Sequence, residues 1–158
     1  MTAADAHPGA AAPADLGALA LAEVVACHAF FVDWYAGRLG EAALTDRLTA
    51  FSPDFLRIAP DGREVRFADL DGFLSARRAA KPDNFAIRIE DGHTVWQDDR
   101  AALVSYVEYQ QTGALETRRR STALFLACPT APHGVLWRHL QETTIQPNGS
   151  AGKTPSAE

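Results

Sequence analysis

Apolar residues recur at helical spacing through the first third of the chain and at alternating spacing through the second half. Leu21, Val25, His28, Val32 and Tyr35 form one stripe, and Val24, Cys27, Phe31 and Trp34 form a second beside it. Two adjacent stripes predict a helix over Asp15–Ala36 with a wide buried face. Asp15 is placed to cap its start, and Gly37 to take the left-handed position after its end. Leu44, Leu48 and Phe51 predict a second helix over Glu41–Phe51. The period then changes. FLRIAPDGREVRF (Phe55–Phe67) holds two short runs around Pro60-Asp61-Gly62, whose fixed φ, turn hydrogen bond and positive φ predict a hairpin. Leu70, Phe73, Leu74 and Arg77 predict a third helix over Ala68–Ala80, ended by Lys81-Pro82-Asp83. Four alternating segments follow: Phe85–Trp96, with a bend at Asp91-Gly92, then Arg100–Thr112, Leu115–Ala127 and Val135–Ile145. Short links between them predict an antiparallel meander. Segregated helices and sheet make the class α+β.

The flanks lack this patterning. Residues 1–13 and 147–158 are rich in Ala, Pro, Gly and small polar residues, which predicts tails around a single domain over 14–146. A chain of 158 residues with 47% hydrophobic content can bury a core without metal or disulfide staples. Its two cysteines, Cys27 and Cys128, stand in apolar runs without metal-ligand spacing. They read as inert buried thiols in a reducing cytoplasm. The apolar stretches are interrupted by Glu23, His28 and Asp33, and the N-terminus lacks a basic region followed by an apolar one. Neither a membrane span nor a signal peptide is predicted. A net charge of −5 argues against a nucleic-acid partner. The Arg118-Arg119-Arg120 run is split by strand alternation between two faces. No two histidines share metal-ligand spacing and no glycine-rich phosphate loop occurs, so neither metal nor cofactor is expected. The abundance of alanine suggests a GC-rich bacterial source.

FFVDWYAG (Phe30–Gly37), FSPDFLRIAPDG (Phe51–Gly62), ALVSYVEYQ (Ala102–Gln110) and the paired segments RRRSTALF and VLWRHLQET, within Arg118–Thr143, together resemble the NTF2-like superfamily. The resemblance is nearest to SnoaL-like and DUF4440-type members and extends to ketosteroid isomerases. It implies an α+β cone. Three N-terminal helices would pack on a strongly curved antiparallel sheet made of the short hairpin and the meander. A cavity would lie between the sheet and the first and third helices, and relatives often dimerise through the outer sheet face. The superfamily hosts isomerases, dehydratases, cyclases, oligomerisation hubs and transport factors, so the fold fixes no activity.

Within that frame alternation assigns the faces. Val104, Tyr106, Glu108 and Gln110 would look inward, with Arg119, Ser121, Ala123 and Phe125 on the next strand. Leu136, Arg138, Leu140, Glu142 and Thr144 would do so on the last. Leu103, Val107, Tyr109, Thr122, Leu124, Trp137 and His139 would face out.

Glu108 is the candidate catalytic carboxylate. In an apolar cavity its pKa would rise and suit it to proton transfer. A bridge to Arg119 or Arg120 would instead lower it. Tyr106, on the same face, would polarise a carbonyl oxygen or form pocket wall. Glu142, turned inward, would couple to Glu108 and separate their pKa values. Arg119 would bind a ligand carboxylate or pair with a glutamate. His28, Phe31, Trp34 and Tyr35 on the first helix and Ser121 on the sheet complete the expected ligand-binding set. His93, His133 and His139 fall at turns or on the outer face. Two functions fit. One is a small-molecule pocket with cofactor-free isomerase, dehydratase or cyclase chemistry. The other is a homodimeric binding or oligomerisation module in which Glu108 is locked by Arg119. The first requires an open cavity of a few hundred Å³.

Overall fold

A computed structural model describes residues 13–147. Apart from Pro13 and Pro147, both expected tails lie outside the described residues. Helix α1 (Leu16–Tyr35) starts where expected, with the Asp15 carboxylate accepting from the Ala18 amide at 3.0 Å. Its end is marked by Gly37 at φ +76°. Helix α2 (Ala42–Leu48) is shorter than its apolar spacing suggested. Phe51 leaves it to open strand β1 (Phe51–Ile58). Pro53 accounts for this: it denies the helical region to Ser52, and its ring would clash with the carbonyl four residues back. Strand β2 (Glu64–Arg66) completes the hairpin, with Gly62 at φ +83° in the turn.

Helix α3 (Phe67–Ser75) also stops early, before the expected Ala80. The chain beyond it docks on the C-terminal end of α1. The Ala79 amide donates to the Trp34 carbonyl at 3.1 Å and the Lys81 amide to the Tyr35 carbonyl at 2.9 Å. These bonds satisfy carbonyls that a helix end leaves unpaired. They tie α3 to α1 over what becomes the cavity.

Strands β3 (Phe85–Gln97), β4 (Ala101–Thr112), β5 (Leu115–Ala127) and β6 (Val135–Thr144) form the meander. The curved, open sheet has the order β2-β1-β6-β5-β4-β3. The expectation of a wholly antiparallel sheet needs one correction: β1 pairs with β6 in parallel, Arg57 opposite Leu140. A parallel pair needs a long crossover, and here α3 and four strands supply it. The bend foreseen at Asp91-Gly92 is a register shift in β3, with Asp91 at φ +52°. Near the other end of β3, α1 comes very close to the sheet. Gly17 donates its amide to the Gln97 side chain at 2.7 Å, and a β-carbon there would overlap Thr94.

A second register shift, in β6, changes the facing of its residues. Trp137 pairs with Phe125, but His139 pairs with the next residue along, Leu124. Arg138 is therefore the extra residue of a bulge. Uninterrupted alternation placed Leu136 and Arg138 inward and Trp137 outward. In the fold Trp137 is fully buried, 4.4 Å centroid-to-centroid from Phe125 and stacked on Phe51 at 5.8 Å. Beyond the bulge Leu140, Glu142 and Thr144 face inward as expected.

The main core gathers Val24 and Cys27 from α1 with Phe55, Val104, Phe125 and Trp137 from the sheet. A smaller cluster of Trp34, Leu44 and Leu74 joins the three helices. Cys27 is a buried thiol, but Cys128 is not: it is half-buried in the loop after β5, 3.4 Å from the Thr130 hydroxyl. Among the described residues α1 is the one helix long and apolar enough to cross a membrane. Its Glu23 and His28 are buried in hydrogen bonds to the sheet side of the fold.

Candidate functional site

Beneath α1 and α3 the sheet encloses a cavity of about 520 Å³. Helix α1 contributes Phe31 and Tyr35, stacked at 5.6 Å with rings nearly parallel. Phe55 from β1, Phe73 from α3 and Phe85 from β3 continue the aromatic wall. The polar groups converge from the sheet: Arg57 on β1, Glu108 and Gln110 on β4, Arg119 on β5, Glu142 on β6. Alternation explains each. Glu108 stands directly opposite Arg119, which stands opposite Thr144, while Glu142 stands opposite Ser121.

The innermost polar feature is a pair between His28 and Glu108. His28 donates from Nδ1 to the Val24 carbonyl, one turn back along α1, at 2.7 Å. Its Nε2 lies 3.0 Å from Glu108 Oε2, and the two side chains are only 7% and 5% exposed. Gln110 donates its amide to the other Glu108 oxygen. Burial alone would raise the Glu108 pKa. The hydrogen bond and charge of His28, then the Arg119 charge and the Gln110 bond, outweigh burial and bring it to about 2. For His28, burial opposes charging, but the Glu108 hydrogen bond and charge and the Val24 carbonyl hold its pKa above the ordinary 6.5. Both ring nitrogens face acceptors, so the pair is an imidazolium bonded to a carboxylate. The rise expected for an unpaired Glu108 is thus reversed. The partner responsible is first His28 and only second Arg119, and Arg120 lies on the opposite face of the sheet, across from Val107.

The second centre is Glu142, buried and shared by two guanidinium groups. Arg57 approaches with Nε at 2.7 Å and Nη2 at 2.5 Å, and Arg119 with one bond from Nη1 at 3.2 Å. Toward the mouth, Arg77 lies over the Phe73 ring at 3.5 Å and donates to the Phe73 carbonyl. Burial, followed by the Glu108 charge, pushes the Tyr35 phenol up to about 12, so it remains a neutral donor.

Of the residues singled out in the sequence, Glu108, His28, Phe31, Tyr35, Arg119 and Glu142 meet around this cavity. Three do not. Tyr106 is sealed behind His28, ring centroids 5.6 Å apart, and is absent from the cavity wall, so its hydroxyl is not placed to polarise a carbonyl there. Ser121 lies opposite Tyr106 on the next strand, and neither buried hydroxyl makes a hydrogen bond of standard geometry. Trp34 points away into the helical cluster, where its indole donates to the Leu74 carbonyl at 2.8 Å. Sequence reasoning passed over Arg57, Phe55 and Arg77. The alternation Phe55–Arg57 in β1 carried the signal for the first two. Alternation alone does not name the strand beside the hairpin, which is β6.

A separate buried network ties the far end of the cone. The Glu23 carboxylate on α1 accepts from Arg47, from His133 Nδ1 at 2.7 Å and from Trp137 Nε1 at 2.9 Å. His133, expected to be a free turn residue, thereby anchors the β5–β6 loop to α1. Among the described residues no three His, Cys, Asp or Glu side chains are grouped to hold a metal ion.

An open curved sheet wrapped over three helices, with charged groups converging in an aromatic cavity, defines a cone-shaped α+β fold. Solved structures share this fold. An NTF-2-like protein of unknown function from Pseudomonas aeruginosa superposes with a TM-score of 0.74 at 25% identity, covering 81% of this chain and 99% of that one. The CaMKII hub of S. rosetta matches with a TM-score of 0.62 at 17% identity over 87% of this chain and all of its own. A ketosteroid isomerase-like protein from Erwinia carotovora matches with a TM-score of 0.54 at 14% identity, covering 84% and 95%. The chain shares the NTF2-like fold of these structures. No protein-family model matches its sequence, and neither does any curated protein.

Proposed function

We propose that this protein binds a small organic molecule in the cone cavity and that the His28–Glu108 pair can exchange a proton with it. The observation that carries this reading is a buried histidine–glutamate pair at the base of a cavity of about 520 Å³, the size range of ligand sites. With Glu108 held near 2, a lone glutamate base is a poor description of the chemistry at neutral pH. The pair is the unit: a proton taken up or released by a ligand would pass between Nε2 and Oε2. This is the type of chemistry expected of a cofactor-free isomerase, dehydratase or cyclase of the SnoaL-like kind. The test is α-proton exchange of 2-tetralone in D2O, followed by NMR. Exchange accelerated by the wild type and lost in Glu108→Gln supports proton transfer. Equal exchange in buffer, wild type and variant leaves a binding protein without this chemistry.

A second reading, a homodimeric binding or oligomerisation module, is favoured by the outer face of the sheet. Trp96 is 51% exposed there, opposite Leu103, which is opposite Leu124. The likeness to hub domains is consistent with assembly. A second copy seated on this face would cover the indole. Sedimentation of wild type against Trp96→Lys tests it: a monomeric wild type at micromolar concentration removes the reading. Two unpaired thiols, Cys27 and Cys128, suit the proposed cytoplasmic setting.

A further inference from the structure

The charges inside the cone do not balance. The chain as a whole carries −5. Yet the side chains that face the cavity run the other way. Arg63 is paired with Asp61, and the Arg118 guanidinium lies over Tyr109 on the outer face, so these three groups are set aside. What remains in the wall is Arg57, Arg77, Lys81 and Arg119 against Glu108 and Glu142. Four cations against two carboxylates leave an excess of two positive charges, three with His28 protonated. Such an excess raises the local concentration of anions in a low-dielectric cleft.

The bonding within the wall shows where the excess is available. Glu108 is already committed to His28 and Gln110. Glu142 serves two guanidinium groups at once, and Arg57 holds it with two contacts. Arg119 reaches it by a single bond of 3.2 Å, which leaves most of a five-donor fork unused. Arg77 spends one donor on the Phe73 carbonyl, and among the described residues no carboxylate lies within ion-pair distance of it. Its stacking on Phe73 at 3.5 Å holds the guanidinium in place beside the aromatic wall. The cavity therefore offers two under-used planar cations and, in the same wall, the flat rings of Phe31, Tyr35 and Phe73.

Building on the reading of the cavity as a small-molecule site, we infer that its ligand is an organic anion: a carboxylate head on a flat apolar body, the head taken by Arg119 with Arg77 and the body by the aromatic wall. A carboxylate matches a guanidinium fork in plane and spacing, and charge-assisted bonds of this kind exceed neutral ones in strength. Phosphate shares the charge and the affinity for arginine, so the two heads are compared directly.

The experiment is calorimetric titration of the full chain with 2-naphthoate, 2-naphthamide and 2-naphthyl phosphate, repeated with Arg119→Met and Arg77→Met. Circular dichroism first establishes that each variant is folded, and half-exposed Arg77 provides a site whose loss leaves the Glu142 cluster intact. The naphthoate is expected to bind at least about tenfold more tightly than the amide, as one charge-assisted contact implies. That preference is expected to collapse in Arg119→Met and to shrink in Arg77→Met, with amide binding nearly unchanged. Amide binding as tight as naphthoate binding overturns the anion inference and leaves the small-molecule reading standing. No binding by any of the three overturns both. Tighter binding of the phosphate overturns the carboxylate head. A naphthoate preference that survives in both variants overturns the assignment to these arginines.

Discussion

Replacing Glu108 by Gln keeps the shape of the pair and removes its charge. In the wild type the Glu108 pKa falls from 4.5 to about 2 on folding. At about 1.4 kcal/mol per pH unit this corresponds to about 3 kcal/mol of stabilisation. A depressed carboxylate contributes that stability above pH 4.5, and the contribution is lost as pH falls through about 2. Seen from His28, whose pKa is raised above 6.5, the same interaction is complete below 6.5 and lost as pH rises through the folded value. These are two views of one bond and count once. The stability gap between wild type and Glu108→Gln should therefore peak between about pH 4.5 and 6.5 and narrow on both sides. Urea denaturation across the pH range measures it. NMR titration of the histidine rings supplies a second readout, with His28 assigned by its loss in His28→Gln. Burial is the largest influence on His28 and opposes its charge. Without the Glu108 charge its pKa should drop from above 6.5 to below it. A gap that is flat with pH, or a His28 pKa still above 6.5 in the variant, would refute the reasoning.

Three further outcomes follow from the packing. Glu23→Gln removes the charge that Arg47 faces in a fully buried site, and should cost about 3–5 kcal/mol in urea denaturation; a loss below about 1 kcal/mol would mean that water reaches the network. Trp34→Phe should cost about 1–3 kcal/mol by leaving the Leu74 carbonyl without its donor. Naphthoate affinity should not change, since the indole lies outside the cavity. Gly62→Ala meets open space but requires φ +83° of a residue with a β-carbon, so a loss of about 1 kcal/mol in thermal melting is expected, with no change in ligand binding.

The sequence displayed its long-period features clearly. The Val24-Cys27-Phe31-Trp34 stripe on α1 and the alternation in β5 survive in the fold because each is set by one buried face, whereas Val25 of the neighbouring stripe is 56% exposed. The ends of α2 and α3 were less visible. Leu44-Leu48-Phe51 continues the helical spacing, yet Pro53 downstream and a stacking partner on β6 draw Phe51 into the sheet. Arg77 continues the spacing of α3, but the amides after Ser75 are needed at the end of α1. The site was half legible. Glu108, Arg119 and Glu142 follow from alternation. The His28–Glu108 contact joins residues 80 apart in sequence, and no local pattern reports it. Tyr106 shares the face of Glu108 but sits one step deeper under α1, a difference that alternation cannot express. Arg57 required knowing that β1 lies beside β6.

The extra residue at Arg138 gives β6 two independent phases. The half before it keeps Val135 and Trp137 in the core, and the half after it sends Leu140 and Glu142 into the cavity. Loss of that single residue would leave both halves facing as they do, because Trp137 and His139 already pair with neighbouring residues of β5. Leu140 and Glu142 would still point into the cavity, and the carboxylate that Arg57 and Arg119 share would stay in place. Elsewhere in a sheet a one-residue deletion scrambles the core. Here it would cost only the local kink and twist of the bulge, so β6 can lose a residue without changing which groups face the cavity.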